Sequence, residues 1–192
     1  MRAGREVVLV RHGETEWSLN GQHTSRTDVP LTDNGRRQAE LLGLRLAGRR
    51  FEQVLSSPRE RALETCRLAG LGEQAELRYD LEEWVYGEYE GKTTEEIRQE
   101  RPEWSLWRDG CPGGEDAAGV AGRVDPVIAE LDELEGDAIL FAHGHVLRVL
   151  AARWLELEPA EGRRLGLSTA AMCALGHEHE NRVVWLWNES VA

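Results

Sequence analysis

Arg11-His12-Gly13-Glu14-Thr15 sets a guanidinium beside an imidazole directly after the apolar run Val7-Val8-Leu9-Val10. A short β-branched run reads as a buried strand, and the glycine just past it as a sharp exit turn. Arg11 and His12 then stand at the carboxyl end of a strand, where open α/β sheets bind ligands. An anion site beside a nucleophile or base is the chemistry such a pair offers, although a structural couple at a strand end looks the same in sequence. The design recurs at Ala138-Ile139-Leu140-Phe141-Ala142, which ends in His143-Gly144-His145. If the two strands are neighbours, the two His-Gly pairs converge. Ser56-Ser57-Pro58, followed within one helical turn by Arg61, brings a third polar group to the same sheet edge.

The chain has 192 residues and a formal net charge of −12, from 35 acidic and 23 basic side chains. That balance disfavours a nucleic-acid partner or an anionic membrane. Lys92 is the sole lysine, so any anion site must be built from arginine and histidine. Guanidinium forks suit phosphate or carboxylate. Cys66, Cys111 and Cys173 show neither a disulfide framework nor a zinc spacing, and the residues before Arg11 are too weakly apolar for a signal core or membrane span. A protein of the reducing cytoplasm is the expectation. His143-x-His145 and His177-x-His179 could place two imidazoles on one strand face, but no acidic cluster spaced to complete a metal site accompanies them.

Strand-like and helix-like stretches alternate without repeat or linker, which predicts a single α/β domain. A polar loop is expected over 16–30, then a helix capped by Asp33 with Ala39, Leu42 and Leu46 on its apolar face. A second strand is expected over 51–55, and a helix opening at Ser57-Pro58. Strand-like residues 75–79 lead into the acidic, aromatic loop 81–91. Thr93-Thr94-Glu95-Glu96 reads as a capping box, with Pro102 ending its helix. A tryptophan-rich loop through Trp104 and Trp107 precedes a helix over 115–134, a strand over 137–142, a helix over 146–155 and strands over 171–176 and 182–187.

Arg11-His12-Gly13-Glu14-Thr15, Ser56-Ser57-Pro58 with Arg61-Ala62 and Thr65, Glu83 with Tyr86-Gly87, and His143-Gly144 occur in an order that resembles the histidine phosphatase superfamily. The resemblance extends over about residues 7–150. Thr15-Glu16-Trp17-Ser18, Trp107-Arg108-Asp109-Gly110-Cys111 and Phe141-Ala142-His143-Gly144-His145 are similar to a narrower branch that includes actinobacterial acid phosphatases and a sedoheptulose-1,7-bisphosphatase. It implies a three-layer α/β/α sandwich of the phosphoglycerate-mutase type, with a mostly parallel sheet, an antiparallel edge strand and a small lid-like insertion at about 82–115. It further implies that His12 is the nucleophile, that Arg11, Arg61 and a protonated His143 surround the phosphoryl group, and that Glu83 is the general acid and base. Glu82 is the alternative acid at that position.

Ser18 stands where many members of the family carry an asparagine that contacts phosphate. His23 and Arg26 are candidates for the substrate entrance, Trp84 for a lid aromatic or a core residue, and Arg108 for a second anion contact. Gly144 and His145 complete the expected substrate-binding set. The family needs no metal and no cofactor. Three activities follow: a phosphomonoesterase for a small phosphorylated metabolite, a phosphoglycerate mutase, or a non-catalytic phospho-ligand module. Few residues separate Gly91 from Gly114, and their arginines are Arg98, Arg101 and Arg108, which places hydrolysis first. An exposed edge strand or helix face could support a homodimer.

Overall fold

The computed structural model describes residues 4–190, and the first and last few residues lie outside it. Six strands form one sheet in the order β3-β2-β4-β1-β5-β6: β1 (Val7–Arg11), β2 (Gln53–Ser56), β3 (Ala75–Leu77), β4 (Ala138–Ala142), β5 (Met172–Glu178) and β6 (Asn181–Glu189). β3, β2, β4 and β1 run parallel, while β5 pairs antiparallel with β1 and with β6. The sheet is therefore mostly parallel, with its antiparallel pairing at one edge.

Both faces of the sheet are covered. Side chains alternate across a strand, so β1 sends Val7 and Leu9 to one face and Val8 and Val10 to the other. Val7 and Leu9 join a core with α6 (Ala117–Asp132), α7 (Gly144–Trp154) and the buried Trp84 and Trp104. Val8 and Val10 pack with Leu42 and Leu46 of α2 (Asp33–Leu46) and Cys66 of α3 (Glu60–Leu68). Continuous apolar strands of this kind need cover on both sides, and the helices supply it.

Several helix starts differ from the sequence expectation, each for a local reason. Residues 16–20 form a short helix, α1 (Glu16–Asn20), in the stretch expected to be loop. It buries no residue and so leaves no apolar periodicity; a reciprocal cap holds it, with Thr15 Oγ1 accepting from Ser18 N–H and Ser18 Oγ accepting from Thr15 N–H. Thr32, not Asp33, caps α2, because its extended backbone turns Oγ1 onto the N–H of Gly35 at 3.0 Å. Asp33 lies inside the first turn, where its charge suits the helix dipole.

The third helix begins at Glu60 rather than at Pro58. Ser57 Oγ is engaged by His143, and a distant carboxylate takes over the cap: Asp28 Oδ1 accepts from Glu60 N–H at 2.9 Å. The capping box of Thr93 and Glu96 opens α4 (Thr94–Glu100) as expected. Within the tryptophan-rich loop a single turn forms, α5 (Leu106–Asp109).

The loop after His12 lies directly on the start of α2. A Cβ at Gly13 would stand 2.5 Å from the carbonyl oxygen of Gly35, and one at Gly35 2.2 Å from that of Glu14. Backbone meets backbone here, so the overlap cannot be relieved by turning a side chain. Glu14 further ties the loop down, accepting from Thr32 Oγ1 at 2.6 Å and Asn34 Nδ2 at 3.0 Å. Overpacking a fitted contact costs about 1–3 kcal/mol. A Gly35→Ala protein is expected to unfold at correspondingly lower denaturant and to lose activity through displacement of His12; unchanged chemical denaturation would show that the contact is not tight.

Candidate active site

The parallel pairing of β1 with β4 sets Arg11 opposite Ala142, and the N–H of His12 donates to the carbonyl of Ala142 at 2.9 Å. His12 and His143 leave adjacent strand ends with ring centroids 5.2 Å apart. The His12 Nδ1 bond to the Gly13 carbonyl, 2.7 Å long, makes Nδ1–H the donor and leaves Nε2 with a lone pair. Burial, with Arg61 and Arg11 nearby, pushes the His12 pKa well below the ordinary histidine value. The neutral, nucleophilic form is thus the stable one near neutral pH.

Arg61 is fully buried. Its Nε donates to Nδ1 of His143 at 3.1 Å, and its terminal nitrogens donate to the carbonyls of Thr24, Ser25 and Thr27. His143 must therefore accept at Nδ1, which makes Nε2–H the donor to Ser57 Oγ at 2.8 Å. Burial first, then Arg61, His12 and Arg11, holds the His143 pKa well down. The ring is neutral in this arrangement; the protonated form implied by the family resemblance requires a nearby phosphoryl group to offset those arginines.

Glu83 is buried at the amino end of α7. Its Oε1 accepts from the N–H groups of Trp84 at 2.9 Å and Val146 at 2.8 Å, and Oε2 accepts from that of His145 at 2.9 Å. Helix N-termini favour such a group. Glu82, by contrast, turns to Arg59 in an ion pair of 2.7 Å. Beside Glu83, the Tyr86 hydroxyl lies 2.7 Å from His145 Nδ1. Burial raises the Tyr86 pKa far above the ordinary value, so the hydroxyl keeps its proton beside the His145 ring. Burial, then Arg148, His23 and Arg11, lowers the His145 pKa well below normal.

A cavity of about 270 Å³ opens over this group. Of the expected residues, Arg11, His12, Ser18, His23, Glu83, Gly144 and His145 line it. Arg61 and His143 do not line it: the His143 ring stands 5.2 Å from that of His12, and Arg61 donates to His143. The remaining candidates stand elsewhere. Arg26 is exposed, with its carbonyl held by Arg59. Trp84 is a fully buried core residue whose Nε1 donates to the Glu115 carbonyl. Arg108 is turned outward onto Asp109, at 2.9 Å.

Trp17, Gln22, Thr94, Arg148 and Leu167 line the cavity without having been singled out in sequence. Arg148 was within reach: it falls three residues after His145, on the same face of α7. Its Nε donates to the Gly162 carbonyl, and its guanidinium stacks on Trp107 at 4.6 Å. Leu167 carries no local signal, and Trp17 is marked in the sequence only as part of the run Thr15-Glu16-Trp17-Ser18. His143 and His145 diverge, the first being the N-cap residue of α7 and the second lying inside it, so they do not share a strand face. Among the described residues no group of three or more His, Cys, Asp or Glu is gathered to hold a metal.

A family model, the histidine phosphatase superfamily (branch 1), matches residues 7–190. The chain belongs to this superfamily. An acid phosphatase of Mycobacterium tuberculosis is 45% identical over 177 residues, which cover 90% of this chain and 87% of the relative. The sedoheptulose 1,7-bisphosphatase of Saccharomyces cerevisiae is 38% identical over 183 residues, covering 78% and 67%. Among solved structures, that of an open reading frame of Mycobacterium tuberculosis matches with a TM-score of 0.93 at 41% identity, covering 99% of this chain and 100% of that one. A mycobacterial glucosyl-3-phosphoglycerate phosphatase solved as a complex with VO3 gives 0.85 at 28% identity, covering 97% and 100%. This histidine phosphatase chain therefore shares both sequence and architecture with phosphatases along almost its whole length.

Four histidines of the site are held neutral by burial, and the linkage sign follows. His23 is lowered from 6.5 to about 4, chiefly by burial. A depressed folded value means that the unfolded chain takes up the proton first as pH falls, so stability is present above about pH 6.5 and is lost as pH drops toward 4. The melting temperature should decline across that window, and His23→Gln should flatten the decline. An unchanged slope in that variant would show that His23 does not contribute.

Proposed function

We propose that the protein is a metal-independent phosphomonoesterase that transfers the phosphoryl group of a small metabolite to Nε2 of His12 and then to water. The observation that carries this reading is the single site that joins His12, its Nδ1 tied to the Gly13 carbonyl, with Arg11 and Glu83 around one cavity. The phosphatase names of the relatives support the same reaction class.

In the first step the Nε2 lone pair forms a bond to phosphorus while the ester P–O bond breaks, and the leaving oxygen takes a proton from Glu83. Oε2 of Glu83 accepts a single backbone N–H and retains room for that proton. In the second step Glu83 removes a proton from water, whose oxygen attacks phosphorus as the P–N bond breaks. Two moderate barriers replace one high one. Arg11, with a buried Nε that has no partner within the protein, is the direct donor to the equatorial oxygens. When the phosphoryl dianion is present His143 takes a proton at Nδ1 and becomes a charged donor, and the Nε–H of Arg61 that bonds this nitrogen gives up that bond while its charge still favours the anion.

Gly144, His145, Ser18 and His23, with Arg148, Gln22 and Thr94, surround the rest of the substrate. Segment 82–115 serves as cover, contributing Tyr86 and Thr94 to the cavity wall and Trp84 and Trp104 to the core. Hydrolysis is favoured over mutase activity because Arg98, Arg101 and Arg108 are directed at Trp104, Tyr89 and Asp109 rather than at the cavity. Three buried free thiols support a reducing, cytoplasmic setting, and among the described residues no helix is long and apolar enough to cross a membrane. Leu77 and Tyr79, exposed at the β3 edge, support a homodimer there, which the molecular mass in solution tests.

Acid quenching during turnover of a labelled phosphomonoester should be avoided, since phosphohistidine is stable to base and labile to acid. Under basic quench the wild type should retain label and His12→Ala none, with turnover also lost; full activity in His12→Ala would overturn the reading. Activity should survive a chelator. With 3-phosphoglycerate, phosphate release should exceed isomerisation, and robust isomerisation without release would favour the mutase instead. Glu83→Gln should cost about 10²–10⁴-fold with an alkyl phosphate, the usual worth of acid–base help, measured as phosphate released; a loss below tenfold would remove Glu83 from that role.

A further inference from the structure

Glu83 sits in an irregular loop, after the turn Tyr79–Leu81 and before the turn Gly87–Tyr89, so no helix or strand fixes its backbone. An ion pair between Arg123 on α6 and Glu115, in the loop just before that helix, does so instead. Arg123 and Glu115 meet through two parallel contacts, Nε to Oε1 at 2.9 Å and Nη2 to Oε2 at 3.1 Å. The remaining donors of Arg123 turn to the loop: Nη1 donates to the carbonyls of Asp80 and Glu82, each at 2.7 Å. Glu115 holds the other side, its Oε2 accepting from Val85 N–H at 2.8 Å. Its own backbone continues the grip, with N–H donating to the Val85 carbonyl at 2.8 Å and its carbonyl accepting from Trp84 Nε1 at 3.0 Å.

The chain is thus held at the peptide immediately before Glu83 and again two residues after it. The Glu83 carbonyl itself accepts from Ser25 Oγ at 3.3 Å. With the backbone gripped by Arg123 of α6 and by Glu115 just before it, and the carboxylate held at the start of α7, Glu83 has one placement relative to His12. The Arg153–Asp125 pair, by contrast, joins side chains of two helices and holds no loop that enters the cavity, while Arg59 adds an ion pair to the Glu82 side chain of the same loop without gripping its backbone. Neither Arg123 nor Glu115 lines the cavity.

We propose that the Arg123–Glu115 pair is a positioning device for the acid–base carboxylate, setting Glu83 at the leaving-group oxygen without touching substrate. The proposal rests on the reading of Glu83 as general acid. A planar guanidinium is required, because it must meet a carboxylate and two carbonyls at once. Displacement of a catalytic group by an ångström costs up to about a hundredfold. The loss should depend on the leaving group, since an alkoxide needs the proton and a nitrophenolate does not.

The test compares kcat/KM for β-glycerol phosphate and p-nitrophenyl phosphate in Arg123→Met and Glu115→Gln; kcat/KM reports the phosphorylation step and excludes the water step. The expected result is a loss of about ten- to a hundredfold with the alkyl ester and roughly threefold or less with the aryl ester. Equal losses on the two esters, or no loss on either, would overturn the proposal. So would loss of the cooperative folding transition in both variants, which would make the pair a stability element. Glu83→Gln separates the two readings: if it spares the alkyl ester, the assignment of Glu83 fails, whereas if it shows the split and the Arg123 and Glu115 variants do not, only the positioning role fails.

Discussion

The parallel pairing of β1 with β4 is the constraint on which the rest of the site depends. Its register places Arg11 beside Ala142, so both chains leave the sheet at one level and turn into Gly13 and Gly144 together. Two residues far apart in sequence, His12 and His143, then share a few ångströms of space. The carbonyl ends of parallel strands cannot be joined by a hairpin, and the crossover helices on both faces leave this edge free for a ligand.

Around that edge the electrostatics are set by burial more than by pairing. Arg61 has no carboxylate in close contact, Asp28 being 4.0 Å away, and it spends its donors on carbonyls and on His143. Burial, reinforced by the guanidiniums of Arg61 and Arg11, keeps His12 and His143 neutral. A nucleophile with a free lone pair and a strong anion trap are therefore consequences of one arrangement. In the proposed reaction, arrival of a phosphoryl dianion supplies negative charge, and His143 can then take a proton at Nδ1 as the Arg61 bond there is released.

The carboxylate of Glu83 shows the complementary solution. It lies in a loop, yet it is held from two sides: by N–H groups of the first turn of α7, and by Arg123 of α6 together with Glu115 of the segment just before that helix. Positioning of a loop group by rigid elements on either side is what acid–base chemistry demands, because proton transfer is sensitive to the placement of a single oxygen. The backbone contact of Gly13 with Gly35 does the same for His12, the proposed nucleophile, bracing its loop against α2.

Much of this was legible in the chain itself. Apolar runs located β1 and β4, the periodicity of Ala39, Leu42 and Leu46 located α2, and Thr93 with Glu96 located α4, because strand burial, helix faces and capping boxes are local rules. The His-Gly pairs at two strand ends and the spacing of Arg61 and Glu83 also stood in the sequence, and they carried the family. Tertiary structure decided the rest. Trp84 went to the core and Arg108 to the surface, while Arg148, Trp17 and Leu167 came to the cavity, since a side chain's direction depends on what packs around its loop. Asp28 capped α3 from another loop, and Arg123 of α6 with Glu115 just before that helix gripped the Glu83 loop. Residue types at fixed spacing state which chemistry a chain can perform; which groups meet the substrate is settled by contacts between segments that are distant in sequence.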